Sequence, residues 1–407
     1  MTLHSFYTKM TGQHATAMKP KILFFSGNRA EFGYLLPFFI EMCDDFEIDF
    51  LIAGGHLLPP WNTVTEIKAS LTQHKLPLTL LKITPLEYTK THTDSFSYLH
   101  QETCKALMQK HYDYAFVMGD RPESFAFASA IFLHNIPLIH YGGGDVTDNA
   151  YYLDSNIRHA ITKMSHLHFT LSDDAATVVK QLGEEAWRVT KAGISTYDYA
   201  RLHLLKTPKK LQKEFPLFKP NKKLLIFTYH PVQYKNAQEN LNDFLMLLEL
   251  VTHTKIPTLL TYPNNDTGSE KIIDFLEKNS LPSHIASVKN LGTPTLLALY
   301  KYAKAIVVGN SSSGVLETVL FCTPTLNIGD RQGNRKRSAN IIDAPLKAQA
   351  IKEKLNFLIN NYDTFEKEAA KDRYTFGKGE AARLVAQKLK QANITKERLL
   401  FKKFVRI

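Results

Sequence analysis

The chain has 407 residues, 44% of them hydrophobic and 22% charged, with a formal net charge of +11. That length exceeds what one core usually fills, so two domains are expected, and the composition is that of an ordinary globular protein. Three scattered cysteines, Cys43, Cys104 and Cys322, argue against a disulfide framework and a structural zinc site, and no apolar run is long enough to span a bilayer.

The positive charge fits an anionic ligand. Nucleic acid shares that preference, but no nucleic-acid motif accompanies the lysines. The basic cluster Lys396, Arg398, Lys402, Lys403 and Arg406 reads as a solvated surface or a peripheral membrane contact, without stable membrane insertion. Residues 1–18 lack the apolar core of a signal peptide and read as an extension, and the chain as cytoplasmic.

In chain order, residues 22–25 form a short apolar strand, followed by Ser26-Gly27-Asn28-Arg29 and a helix over 35–42. Glycine directly after a first strand marks a nucleotide-binding α/β unit, and the absence of GxGxxG excludes a dinucleotide fingerprint. Arg29 can reach a phosphate or serve as a surface arginine. A second strand, 46–52, ends at Gly54-Gly55-His56, where a sheet places ligands; His56 is either a contact or structural. The strand 114–118 ends in Gly119-Asp120, and the strand 136–140 in Tyr141-Gly142-Gly143-Gly144-Asp145. Three consecutive glycines are poor structure formers, so close approach of another group is expected there. Asp120 and Asp145 at neighbouring strand ends are equipment for proton transfer, or helix caps. Asp154, Arg158 and His159 follow, on or near a helix over 157–164. His166 and His168 sit at a strand start and read as structural, leaving no metal-ligand constellation.

Residues 202–220 read as a linker. The second half repeats the pattern: a strand at 224–228 ending in Tyr229-His230-Pro231, a helix at 241–252, a strand at 258–261, and helices at 272–278 and 295–302. A strand over 305–308 then runs into Gly309-Asn310-Ser311-Ser312-Ser313-Gly314, expected to open a helix over 315–321. Strand, small-residue turn and helix start make an anion site, because free N–H groups and the helix dipole point at the ligand. Glu317, one turn in, is placed to accept from a sugar hydroxyl. After a strand at 325–328 come Arg331, Arg335, Lys336 and Arg337, whose forked guanidinium groups suit phosphate. The alternation predicts two doubly wound Rossmann-like α/β domains facing a cleft. The expected division is 19–203, carrying the acids, 204–385, holding the nucleotide, and 386–407, a helix and basic tail.

From about residue 20 to 385 the chain resembles the hydrolysing UDP-N-acetylglucosamine 2-epimerases of bacterial sialic-acid and related nonulosonate pathways. The motifs SGNRAEFG, GGHL, GDRPE, GGDVT, IRHAITKMSHLHF, TYHPV, TYPNNDTGS, GNSSSGVLET and NIGDRQGNRKRSANIID carry it, in order. The resemblance implies the two-domain fold shared with one large class of glycosyltransferases (GT-B), a UDP-sugar between the domains, no metal or other cofactor, and a homodimer. It implies diphosphate binding at Asn310, Ser312, Ser313 and Gly314, ribose binding at Glu317, and contacts near the phosphates from Arg29 and His230. His56, Gly143, Arg158, Arg331 and Arg337 complete the expected binding set, and His230 joins Asp120, Asp154 and Asp145 as candidate catalytic groups.

The implied reaction eliminates UDP across C1–C2 and hydrates the resulting glycal to an N-acetylmannosamine-type sugar. UDP-N-acetylglucosamine and its 2,4-diacetamido-2,4,6-trideoxy analogue, on the way to legionaminic acid, are the expected substrates. The family pattern implies a glutamate where Gly142 stands, which leaves Asp145 or Asp154 to take its place. A glycosyltransferase of the same fold and a non-catalytic UDP-sugar sensor are the competing readings, since fold alone does not separate them.

Overall fold

A computed structural model describes residues 19–58, 62–84, 92–147, 153–264, 268–391 and 394–406, without the side chains of Arg29 and His92. The expected extension 1–18 lies outside the described residues.

Two wholly parallel sheets organise the chain. The first contains β1 (Lys21–Ser26), β2 (Glu47–Ile52), β3 (Thr79–Lys82), β4 (Tyr114–Met118), β5 (Leu138–Tyr141), β6 (Leu167–Thr170) and β7 (Val189–Lys191), in the order β3-β2-β1-β4-β5-β6-β7. The second contains β8 (Lys223–Thr228), β9 (Thr258–Thr261), β10 (Ile285–Val288), β11 (Lys304–Gly309), β12 (Thr325–Ile328) and β13 (Ile341–Ala344), in the order β10-β9-β8-β11-β12-β13.

Helices cover both faces of each sheet, so central strands are apolar on both sides. Along β1, Ile22 and Phe24 enter one core, with Phe50, Phe116 and Tyr141, while Leu23 and Phe25 enter another, with Leu51, Val117 and Phe127. Along β8, Leu225 and Phe227 face one core, and Leu224 and Ile226 the other. Each fully buried side chain of this size contributes roughly 1.5–3 kcal/mol.

In both sheets the order of strand addition reverses at the centre, between β1 and β4 and between β8 and β11. Ligands of open α/β sheets bind outside the strand ends at such points. The loops after these four strands carry Arg29, Asp120, His230 and Asn310–Ser313.

Several elements differ from expectation. The helix after β1 is Arg29–Met42, starting six residues before 35. Asn28 caps it and Glu31 closes a capping box, a signal that needs no apolar periodicity. The stretch 202–220 contains a helix, Pro208–Glu214, whose Leu211 is buried. The helix expected over 315–321 is instead two 3-10 turns, Ser312–Gly314 and Val319–Phe321. Thr318 draws its backbone N–H to the Ser313 carbonyl and its hydroxyl to the Gly314 carbonyl, the competition from a hydroxyl side chain that disfavours regular helix.

The helix Ala381–Leu389 straddles the expected boundary at 385. Its residues Ala381, Ala382, Val385, Ala386 and Leu389 join the core of the first sheet. Asp198 accepts the backbone N–H groups of Ala381 and Ala382 at 3.1 and 2.8 Å. The tail beyond is fastened by Arg188, which donates to the carbonyls of Arg398, Leu399 and Phe401.

Candidate active site

A cleft of about 500 Å³ lies between the two sheets and takes its walls from both. A larger hollow, about 870 Å³, opens beside Lys19, Phe46 and Asp113, at the end of the first sheet opposite to where parallel strands place ligands.

On the first-sheet side Asp120, Asp145, Asp154 and Arg158 line the cleft. Asp120 follows β4. Asp154 opens the helix Asp154–Met164, and Arg158 lies one turn further along it. Arg158 is 1% exposed and donates one nitrogen to Asp120 Oδ2 and another to the Asp145 carbonyl. Burial alone would raise the Asp120 carboxyl, but Arg158 and Arg335 outweigh it and hold it below the usual carboxylate range. Asp154 goes the other way. Burial, reinforced by the negative charge of Asp120, lifts it to about 6. Two carboxyls in one cleft are thus driven apart in acidity by their surroundings, the arrangement that separates acid and base roles.

Arg335 reaches across from the second half. Its Nε donates to Asp145 Oδ2 at 2.6 Å, and its buried charge is stabilised by Asp145, Asp120 and Asp154 together. A second cross-cleft contact joins Tyr34 to Glu317, the phenol donating to Oε1. Among the described residues Glu317 Oε2 has no hydrogen-bond partner although it is buried, and burial raises this carboxyl's pKa. An unsatisfied buried acceptor at a cleft wall is a vacant place for a hydroxyl donor.

On the second-sheet side Ser311, Ser312 and Ser313 line the cleft with His230 and Arg331. The Ser311 side chain caps the turn by accepting from the Ser313 N–H. The His230 Nδ1 accepts the Asn264 N–H at 3.0 Å, so the proton of a neutral ring sits on Nε2.

Five expected contacts stand outside the cleft lining, each for a local reason. His56 is fully buried, its Nε2 2.7 Å from Ser26 Oγ and its Nδ1 2.8 Å from Thr63 Oγ1. Burial lowers this imidazole to about 4, which keeps it neutral. The Asn310 side chain is used up in a reciprocal pair with the His230 backbone, at 2.7 and 2.8 Å. Gly314 is buried against Val307 and Thr325. Gly143 lies so close to His140 and Thr162 that a Cβ would stand 2.9 Å from each. Arg337 turns away to Asp343 and to the carbonyls of Gly333 and Arg335. Arg29 heads its helix at the cleft rim, its side chain outside the described residues.

Gly142 lines the cleft at φ +87° with open space where a Cβ would stand. Its backbone is in the left-handed region that glycine tolerates and bulkier residues resist, which matches the absence of a glutamate there. His166 and His168 are structural: His166 Nδ1 accepts from the Leu138 N–H, and His168 meets the buried Glu184.

Glu31 was not singled out from the sequence. It lines the cleft while taking hydrogen bonds from Ser26 Oγ and the Gly27 and Asn28 N–H groups, and burial lifts it to about 7. Its signal was the Asn28–Glu31 capping-box spacing.

The model of a family described as UDP-N-acetylglucosamine 2-epimerase matches residues 40–390. The chain belongs to this family. Similar relatives are named as hydrolysing epimerases. The GDP/UDP-N,N'-diacetylbacillosamine 2-epimerase (hydrolyzing) of Campylobacter jejuni is 34% identical over 338 residues, 81% of this chain and 85% of that protein. The polysialic acid biosynthesis protein P7 of Escherichia coli is 31% identical, over 83% of this chain and 85% of that protein. Among solved structures, the UDP-GlcNAc 2-epimerase from Neisseria meningitidis bound to UDP-GlcNAc superposes with a TM-score of 0.75 at 18% identity, covering 91% of this chain and 99% of that one. The two-domain fold of these epimerases is therefore the fold of this chain.

Proposed function

We propose that the protein is a hydrolysing 2-epimerase acting on a UDP-linked 2-acetamido sugar of the 2,4-diacetamido-2,4,6-trideoxy type, releasing UDP and the free manno-configured sugar. The observation that carries the reading is the divergence of Asp154 and Asp120 at the cleft wall facing the Ser311–Ser313 turn. UDP lies along that turn, its diphosphate on the serine hydroxyls and N–H groups with His230 Nε2 and Arg331 beside it, and its ribose on the vacant Glu317 Oε2.

Asp154, ionised above about pH 6, takes the C2 proton, and the C–H electrons become the C1=C2 bond as the C1–O bond breaks to UDP. A base with a pKa near the working pH transfers protons best. Asp120, kept ionised by Arg158, stabilises positive charge developing at C1. Arg335 balances charge as the diphosphate departs. Water then adds, oxygen to C1 and hydrogen to C2 on the face opposite to that which lost it, and Asp154 returns its proton to solvent.

The relative named for diacetylbacillosamine in Campylobacter, at 34% identity, supports the diacetamido sugar over the plain one, for which the Neisseria relative stands at 29%. The test is proton NMR in D₂O with UDP-N-acetylglucosamine and its 2,4-diacetamido-trideoxy analogue in parallel. Free UDP with a C2-deuterated manno sugar, formed faster from the analogue, is the expected result. Turnover only after an acceptor is added would make the protein a transferase, and UDP binding without turnover of either sugar would make it a sensor.

A further inference from the structure

Beneath the three cleft aspartates lies one imidazole that the reaction as written does not use. His140 is on β5 and has no exposed surface. Its Nε2 stands 3.0 Å from the Gly119 carbonyl, on the residue that precedes Asp120. A carbonyl only accepts, so Nε2 carries the proton and donates. Its Nδ1, left bare, faces Thr162 Oγ1 at 3.2 Å. The Thr162 hydroxyl also reaches the Arg158 carbonyl at 2.9 Å, on the helix that begins with Asp154. Gly143, two residues before Asp145, packs against the Nδ1 and Cε1 edge of the ring so closely that a Cβ there would stand 2.9 Å from Nδ1. One ring thus touches each of the three chain segments bearing Asp120, Asp145, and the pair Asp154 and Arg158.

We infer that His140 is a positioning residue for the epimerisation: a neutral Nε2–H imidazole that sets the relative placement of the cleft carboxylates and Arg158 without touching substrate. Burial pushes the imidazole down to about 3, in keeping with a ring that holds one tautomer at working pH. An imidazole suits the task because it is rigid, donates to the Gly119 carbonyl through one nitrogen while the other packs against Thr162, and fills the space between β4, β5 and the helix Asp154–Met164. A displacement near 1 Å at the carboxylates lowers turnover by about 100-fold, so small losses of this bracing are readable in the rate.

The inference rests on the assignment of Asp120 and Asp154 above, and its test separates the two. His140→Gln keeps an N–H near the Nε2 position, within reach of Gly119, whereas His140→Asn places its amide near Nδ1 and loses Gly119. With the faster of the two UDP-sugars, His140→Asn is expected to lose kcat by about 100-fold while KM and calorimetric UDP affinity stay within about threefold. His140→Gln is expected to recover most of kcat. In the UDP-bound protein, amide exchange at residues 119–121 and 142–145 should quicken in His140→Asn and not in His140→Gln.

Full turnover in His140→Asn overturns the proposal. So does equal loss in both variants with UDP affinity falling in step, which is the behaviour of a general packing residue. If His140→Asn does not fold, His140→Gln decides: near-native rate and exchange support the role, and a low rate with quickened exchange overturns the N–H contact as its basis. Undiminished turnover in Asp120→Asn would remove the assignment of that carboxylate, while the exchange comparison still reads whether His140 fixes the loops.

Discussion

The two walls of the cleft are built on opposite electrostatic plans. The first-sheet wall crowds Asp120, Asp145 and Asp154 around Arg158, with Arg335 reaching in from the other half. The second-sheet wall offers serine hydroxyls, the His230 imidazole and one vacant carboxylate oxygen, with Arg331 and Lys289 as its cations. Charges packed together perturb one another's acidity, which proton transfer requires. Neutral donors on a turn bind an anion without moving protons. On the proposed reading, the same α/β topology, used twice, places chemistry on one strand-end set and adhesion on the other. Substitutions should therefore sort by wall, the first affecting rate and the second affinity.

The largest effect belongs to Asp120→Asn, which should lower kcat by about 10³-fold or more with UDP affinity nearly unchanged. Rate and affinity falling together would erase the distinction between the walls. Asp154→Asn should lower kcat by about 10²–10³-fold and remove the acid limb of the pH–rate profile. In the native enzyme that limb falls below about pH 6, because the proton acceptor must be ionised.

The Asp154 substitution has a second readout. The folded value of about 6 stands above the ordinary aspartate value of about 3.9, so the folded state binds this proton more tightly than the unfolded chain. The stability this confers is present below about pH 4 and lost as pH rises through 6. Thermal unfolding should show Asp154→Asn more stable than the native chain at pH 7.5 and level with it near pH 4.

On the other wall, Ser313→Ala combined with Glu317→Ala should weaken UDP by about 10–100-fold, measured by calorimetry. Unchanged affinity would displace the nucleotide from the turn. The smallest effect sharpens the boundary between the walls. Arg337→Ala should change kcat and UDP affinity by less than about threefold, since its partner Asp343 is outside the cleft lining, whereas Arg335→Ala should change both.

Much of the fold was legible because buried parallel strands read as short apolar runs ending in turn residues. β1, β4, β8, β11 and β12 are of this kind. The edge strands β3, β10 and β13 escaped, being half-exposed and mixed in sequence. In the site, Asp120 and Asp145 were visible as acids at strand ends, because strand ends are fixed by the sheet. Loop direction is not fixed that way. Arg335 and Arg337 are two residues apart in one basic run, and only the folded loop turns the first into the cleft and the second toward Asp343. Asn310 stands at the switch point like a ligand contact, yet its amide ties two loops of the second sheet together. His140 looked like one more apolar-strand residue, since its hydrogen-bond partners, Gly119 and Thr162, are distant in sequence.

The helix Ala381–Leu389 brings the chain back to the half where it began. The two halves are consequently joined by two covalent crossings, one between β7 and β8 and one between β13 and this helix. A single tether would let one half swivel in any direction, but two side by side act as the paired hinges of a door and leave one easy axis of rotation. Across that axis the halves are held by Tyr34 to Glu317, by Arg335 to Asp145 and by Tyr197, whose phenol donates to the Leu316 carbonyl and accepts the Leu320 N–H, so any rotation has to part all of these contacts.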